Sequence, residues 1–80
     1  MFLEIITPSE KIFTGEVKLV QLPGTKGSFA VLKNHAPIIS TLEKGQIKVI
    51  GTNEETSFFD INGGVVEVKN NKITVLAEPV

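Results

Sequence analysis

The chain's only histidine, His35, sits in the stretch "SFAVLKNHAPIISTL", residues 28–42. An imidazole can serve as general base, nucleophile or metal ligand, so it is the first place to look for chemistry. General-base work needs an orienting partner and a nucleophile or water within reach. No acidic residue lies within seven positions of His35 on either side. The favoured reading is a loop imidazole that hydrogen-bonds the backbone of its own bend, Asn34-His35-Ala36-Pro37. A metal centre finds less support still, because one His, no Cys and scattered carboxylates do not make a ligand set.

The remaining candidates are equally thin. Of the nine acids only Glu54 and Glu55 are adjacent, in a polar turn, and nothing suggests the paired geometry of acid–base catalysis. "GTKG", residues 24–27, has the spacing of a KH-domain loop, but its flanks read as strands. A phosphate-binding loop needs a longer glycine spacing and a following helix. The stretch therefore reads as a glycine-bounded β turn. Gly63-Gly64, after "FFDIN", allows either close approach of another backbone or a turn or bulge with positive φ, and the second is preferred. The expectation is a protein with no catalytic residue, no cofactor and no metal: not an enzyme.

The elements that would position these residues are constrained by composition. Eighty residues form one domain, and a chain of that length buries only about 60% of its unfolded surface. With no cysteine, stability must come from apolar packing and a paired backbone. Nine acids stand against eight bases, and every base is lysine. The absence of arginine, with a near-neutral balance, argues against a nucleic-acid partner. No apolar run approaches the roughly 18 residues that would insert into a bilayer, so no direct membrane insertion is expected. The start, "MFLEIITPSEK", lacks a basic lead-in and is not read as a signal peptide, which points to a soluble protein of a reducing compartment.

Period-two alternation runs through the chain. Ile47 and Val49 alternate with Gln46 and Lys48, Phe59 and Ile61 with Phe58 and Asp60, and Val66 and Val68 with Glu67. Val17, Leu19 and Gln21 are assigned to one face of an extended segment, and Lys18, Val20 and Leu22 to the other. Turn residues punctuate these runs at the close spacing of a sandwich or barrel. A two-residue turn at Asn70-Asn71 pairs Val68 with Ile73 and Val66 with Val75 on one face, and sets Lys69 opposite Lys72. The fold class is all-β, and no segment has a helical period. Apolar residues exceed what the inner faces of a small sandwich require. The surplus, Ile6, Val20, Leu22, Phe58, Val65 and Leu76, predicts an exposed patch for a protein partner, narrowly ahead of the rival reading in which the chain itself covers the sandwich edges.

"GSFAVLKNHAPIISTLEKGQIKV" (27–49) resembles the most diagnostic stretch of the epsilon subunit of F-type ATP synthase, "IFTGEV" (12–17) its N-terminal strand pair, and "INGGVVEVKNNKITVLAE" (61–78) its closing hairpin. The resemblance implies a flattened β-sandwich of about ten short, mostly antiparallel strands. It implies a non-catalytic rotor subunit at the foot of the central stalk, which packs on the gamma subunit and rests on the polar loops of the c-ring. Its place would be peripheral, on the cytoplasmic face of the bacterial inner membrane or the equivalent organelle or thylakoid face.

By the same resemblance Ser28 matches a position facing the c-ring, Thr7 and Ser40 match positions near gamma, and His35, Ala36 and Pro37 form a signature bend that shapes a surface. Three departures are visible. Ala30 stands where glycine is usual, Lys33 where proline is common, and nothing follows Val80 where most members continue into two C-terminal helices. A single domain over 1–80 with no helical arm, and without the arm's inhibition of hydrolysis, is the expectation. The rival reading is a biotinyl or lipoyl carrier domain with a modified lysine at the Asn70-Asn71 tip, where Lys69 and Lys72 stand but without the usual flanking residues.

Overall fold

Fourteen consecutive residues, Lys11–Gly24, form one strand, β2, that belongs to both layers of the molecule. The computed structural model describes all residues from Met1 to Val80, with eight strands and no helix. Around β2 lie β1 (Phe2–Ile6), β3 (Gly27–Leu32), β4 (Ile38–Leu42), β5 (Gly45–Gly51), β6 (Thr56–Ile61), β7 (Gly63–Lys69) and β8 (Lys72–Glu78). The first half of β2 pairs with β1, and the second half pairs with β3 and β5. One layer runs β1-β8-β7-β4 and the other β3-β2-β5-β6. Because β2 supplies strand to both, eight strands complete a sandwich for which about ten short ones were expected.

All pairings are antiparallel except β1 with β8, which lie side by side in parallel. Fifteen buried apolar side chains form one cluster between the layers. Leu3, Ile5, Leu42, Val66, Val68, Ile73, Val75 and Ala77 come from one side, and Val17, Val20, Leu22, Val31, Ile47, Val49 and Ile61 from the other. Most are alternate positions of strands with polar residues between them, as a half-buried sheet face requires; in β7 and β8 the neighbouring positions Val65 and Leu76 are apolar as well. Half-buried Phe13 and Phe59 close one flank of the core edge to face, with ring centroids 5.6 Å apart.

One parity assignment in β2 is corrected. The pairing with β5 slips between Val17 and Leu19. The irregularity puts Val17 and Val20 on the same inner side, so Leu19 faces outward in place of Val20. Val20 pairs with Val49 and Val31, Leu22 pairs with Phe29, and both are fully buried rather than part of an exposed patch.

The β7–β8 hairpin has the predicted register: Val68 opposite Ile73, Val66 opposite Val75, Lys69 opposite Lys72. Asn70 and Asn71 have φ of 52° and 59°, as a type I′ turn demands. The "GTKG" stretch is a turn closed by the Gly24–Gly27 pair. Gly63 and Gly64 have the expected positive φ, 142° and 149°, but they lie at the start of β7 and not in a free turn.

Candidate docking surface

The outer face of the β1-β8-β7-β4 layer carries an aligned row. Ile6 pairs with Leu76, Leu76 with Val65, and Val65 with Thr41. Leu76 is 56% exposed and Val65 39%, although both belong to well-paired central strands. Ile6, Pro8, Val65 and Leu76 wall a shallow apolar recess, and Thr7 lies at its edge. Strand alternation produces this surface: "VLA" in β8 and "GVV" in β7 place apolar residues on successive positions, so both faces become greasy. Isolated exposed apolar residues are ordinary, whereas a row across three neighbouring strands is not.

A second apolar stripe runs over the opposite layer, where Leu32 pairs with Leu19 and Leu19 with Ile50, and exposed Phe58 lies one row away on β6. Of the predicted patch, Ile6, Phe58, Val65 and Leu76 are at the surface, divided between two faces. Leu32 and Ile39, which the sequence reading left out, are exposed as well.

The six predicted partner-binding residues do not form one cluster. Thr7 is nearly buried, at 7% exposure. Its hydroxyl donates to the Glu10 carbonyl at 3.0 Å and accepts from the Glu10 amide at 3.3 Å, closing the turn after β1. Ser40 stands on the inward-facing row opposite Val66, and its hydroxyl donates to the Thr41 carbonyl. Beside it, Thr41 and Thr25 share a hydroxyl–hydroxyl hydrogen bond of 2.8 Å that ties β4 to the 24–27 turn. Ser28 is exposed near the start of β3, where its hydroxyl accepts from Gln21 Nε2 at 3.0 Å. His35, Ala36 and Pro37 follow the other end of β3, so about 13 Å of strand separates Ser28 from Leu32 before the bend begins.

The bend is what the bland reading of His35 described. Its Nδ1–H donates to the Ala36 carbonyl at 2.7 Å, and its backbone N–H donates to Leu32 O at 3.1 Å. Asn34 precedes it in the left-handed conformation, φ 66°. The sequence reading missed what holds the bend to the body. Asn34 N–H donates to Asn71 Oδ1 at 2.7 Å, and Asn71 Nδ2 donates to Asn34 Oδ1 at 3.2 Å. Both are asparagines in turns, but nothing in the sequence signals a pairing across 37 positions.

Electrostatics add one feature. The Glu4 carboxylate on β1 lies 2.7 Å from Lys11 Nζ on β2 and 3.7 Å from Lys72 Nζ on β8. The Lys11 hydrogen bond, aided by the charges of Lys11 and Lys72, holds the Glu4 carboxyl below its ordinary value of 4.5, against a smaller opposing effect of desolvation. This is a surface clasp across three strands. No three His, Cys, Asp or Glu side chains converge anywhere as a metal site would need. No buried side-chain polar atom lacks a partner.

The class that the geometry defines is a small β-sandwich with apolar rows on its outer faces and a histidine hydrogen-bonded within its own bend. Comparison narrows the class. The family model described as "ATP synthase, Delta/Epsilon chain, beta-sandwich domain" matches residues 1–80, and the chain belongs to that family. It is 41% identical over 78 residues to the ATP synthase epsilon chain of Caulobacter vibrioides, covering 98% of this chain and 90% of that one. To the epsilon chain of Campylobacter hominis it is 44% identical over 80 residues, covering 96% of this chain and 60% of the relative.

Among solved structures it resembles a chain of the Euglena gracilis mitochondrial ATP synthase, with a TM-score of 0.87 and 21% identity, over 94% of this chain and 48% of that one. A chain in the central stalk and c-ring structure of the Tetrahymena thermophila enzyme gives 0.84 and 17%, over 98% and 63%. At those identities the likeness is one of fold. As a member of the epsilon-chain family the protein is a non-catalytic subunit, and the carrier-domain alternative is set aside. The hairpin tip agrees: Asn71 is bonded to Asn34, and Lys72 is near Glu4, so the tip is not a free arm.

Proposed function

We propose that this protein is the rotor subunit that joins the gamma subunit to the polar loops of the c-ring, so that ion-driven rotation reaches the catalytic heads. The observation that carries the reading is the Ile6–Leu76–Val65 row. It lies beside Thr7, a position the family resemblance puts near gamma, and it offers the apolar surface that a lasting partner covers. Ser28, at the far end of β3 from the bend, is the position assigned to the c-ring, where a neutral hydroxyl can exchange hydrogen bonds with polar loops.

The mechanism is mechanical. Torque is transmitted only by a body that does not yield, and dense packing between two hydrogen-bonded layers resists shear. The strand shared by both layers, β2, prevents them from sliding independently. No bond is made or broken by this chain. Its place is peripheral, held at the membrane through the complex, on the face that carries the catalytic heads.

Mixing the protein with its cognate gamma subunit at micromolar concentration and weighing the product by light scattering tests the proposal. A stable one-to-one complex is expected for the wild type and for Phe58→Asp on the opposite face, with loss of the complex for Leu76→Asp. A wild type that stays free of gamma at that concentration would sink the reading.

A further inference from the structure

We infer that Asn71 is a positioning residue: through Asn34 it fixes the direction in which the His35-Ala36-Pro37 bend is presented to the stalk. The inference rests on the rotor reading above, with this bend shaping a partner-facing surface as the family resemblance implies.

Two layers of hydrogen bonding hold the bend. The inner layer is local: the His35 amide to Leu32 O, and His35 Nδ1 to Ala36 O. These set the internal shape of the turn but reach no farther than the end of β3 and the bend itself. The outer layer is the Asn34–Asn71 pair, and no other hydrogen bond ties residues 33–37 to a distant part of the chain. Each asparagine gives and receives once, so neither carboxamide can rotate without breaking a bond.

Asn71 is anchored from behind. Its carbonyl accepts from the Phe2 amide at 2.9 Å, so the hairpin tip, the start of β1 and the bend meet at one residue. Both asparagines occupy the left-handed region, φ 66° and 59°, where Asn is tolerated and most other side chains are strained. The turn chemistry of two separate loops thus supplies the two halves of one latch.

This geometry permits a clean deletion. Asn71→Gly removes the carboxamide while keeping a residue that favours positive φ, and Asn-Gly is a preferred type I′ pair. The hairpin should stay intact and the latch alone be lost. Asn70→Gly is the control, since Asn70 has the same backbone geometry and no side-chain bond to the bend. Asn71→Asp is the rescue. Its carboxylate still accepts from the Asn34 amide, and a flipped Asn34 carboxamide can donate to its second oxygen.

Two readouts decide the matter: amide hydrogen exchange at Asn34 by NMR, and affinity for the cognate gamma and c-ring subcomplex. Asn71→Gly should speed exchange at Asn34 and weaken binding, each about tenfold, as expected for two lost hydrogen bonds of ordinary net strength. Exchange within the β7–β8 ladder should not change. Asn70→Gly should match the wild type, and Asn71→Asp should recover most of both readouts. Wild-type exchange in Asn71→Gly overturns the inference, and so does faster exchange with unchanged affinity. If the wild type itself ignores the subcomplex, the rotor reading fails, and exchange at Asn34 alone decides whether the latch exists.

Discussion

Gly64 and the carbonyl of Leu76 approach so closely that a Cβ on Gly64 would lie 2.3 Å from the Leu76 oxygen. The contact sits in the β7–β8 ladder near the start of β7, with Gly64 opposite Ala77 on β8 and Leu42 on β4. Its φ of 149° is also one that side chains rarely adopt. Of the two readings of the glycine pair, Gly64 shows the close backbone approach, and its positive φ falls inside a regular ladder rather than in the preferred turn or bulge. Gly64→Ala should therefore destabilise the fold by about 3 kcal/mol or more, from strain and a backbone clash that no rotamer relieves. Guanidinium unfolding, compared by midpoint at constant slope, measures it; a change within 1 kcal/mol, roughly the experimental floor for such claims, contradicts the contact.

Glu4 gives a pH dependence of defined sign. Its carboxyl is held below 4.5 in the folded protein by Lys11 first and Lys72 second. A group whose folded value is depressed adds stability that is fully present above its unfolded value and is lost as pH falls through the folded one. Between neutral pH and about pH 3 the wild type should lose more stability than Glu4→Gln, with the divergence beginning near the ordinary glutamate range. Equal acid slopes for the two proteins in urea titrations would show that the clasp contributes nothing.

Phe13 and Phe59 meet at an interplanar angle of 65° and bridge β2 to β6. Such edge-to-face pairs couple by about 0.5–1.5 kcal/mol beyond area burial. A double-mutant cycle with Phe13→Leu and Phe59→Leu should return a coupling in that range. Additive single effects would mean that the rings merely fill space.

Deep core positions should behave differently from the outer rows. Ile47 is fully buried between the layers, and Ile47→Ala should cost about 2–5 kcal/mol. Leu76→Asp on the outer face should cost less, about 1 kcal/mol from lost cross-strand contact and poor strand propensity, while removing gamma binding. Thermal unfolding of both variants separates the two classes of apolar residue; a collapse of Leu76→Asp would place Leu76 in the fold rather than at the interface.

His35→Ala should alter stability by about 1 kcal/mol at most, because one local hydrogen bond to Ala36 O is lost and no charge is buried. Assembly with the stalk should weaken modestly, and ATP turnover by isolated catalytic heads should be untouched. Turnover lost from those heads on His35→Ala would assign the imidazole a chemical role after all.

The sequence on its own determined the strand class, the hairpin at Asn70-Asn71 and the reading of His35. Those features are local: period-two alternation, two residues that accept positive φ, and an imidazole whose nearest partner is the next carbonyl. It also carried the family, because that signal is distributed along the whole chain. Tertiary structure alone decided which greasy residues face out. In β2 a slip between Val17 and Leu19 moves Val20 inside and Leu19 outside, and alternation has no way to foresee a lost count. Tertiary structure also separated Ser28 from His35 along β3 and joined Asn34 to Asn71. The reason is the same in each case: a strand's pattern says which residues share a face, but which strands become neighbours, and where their registers slip, is set by packing two layers against each other.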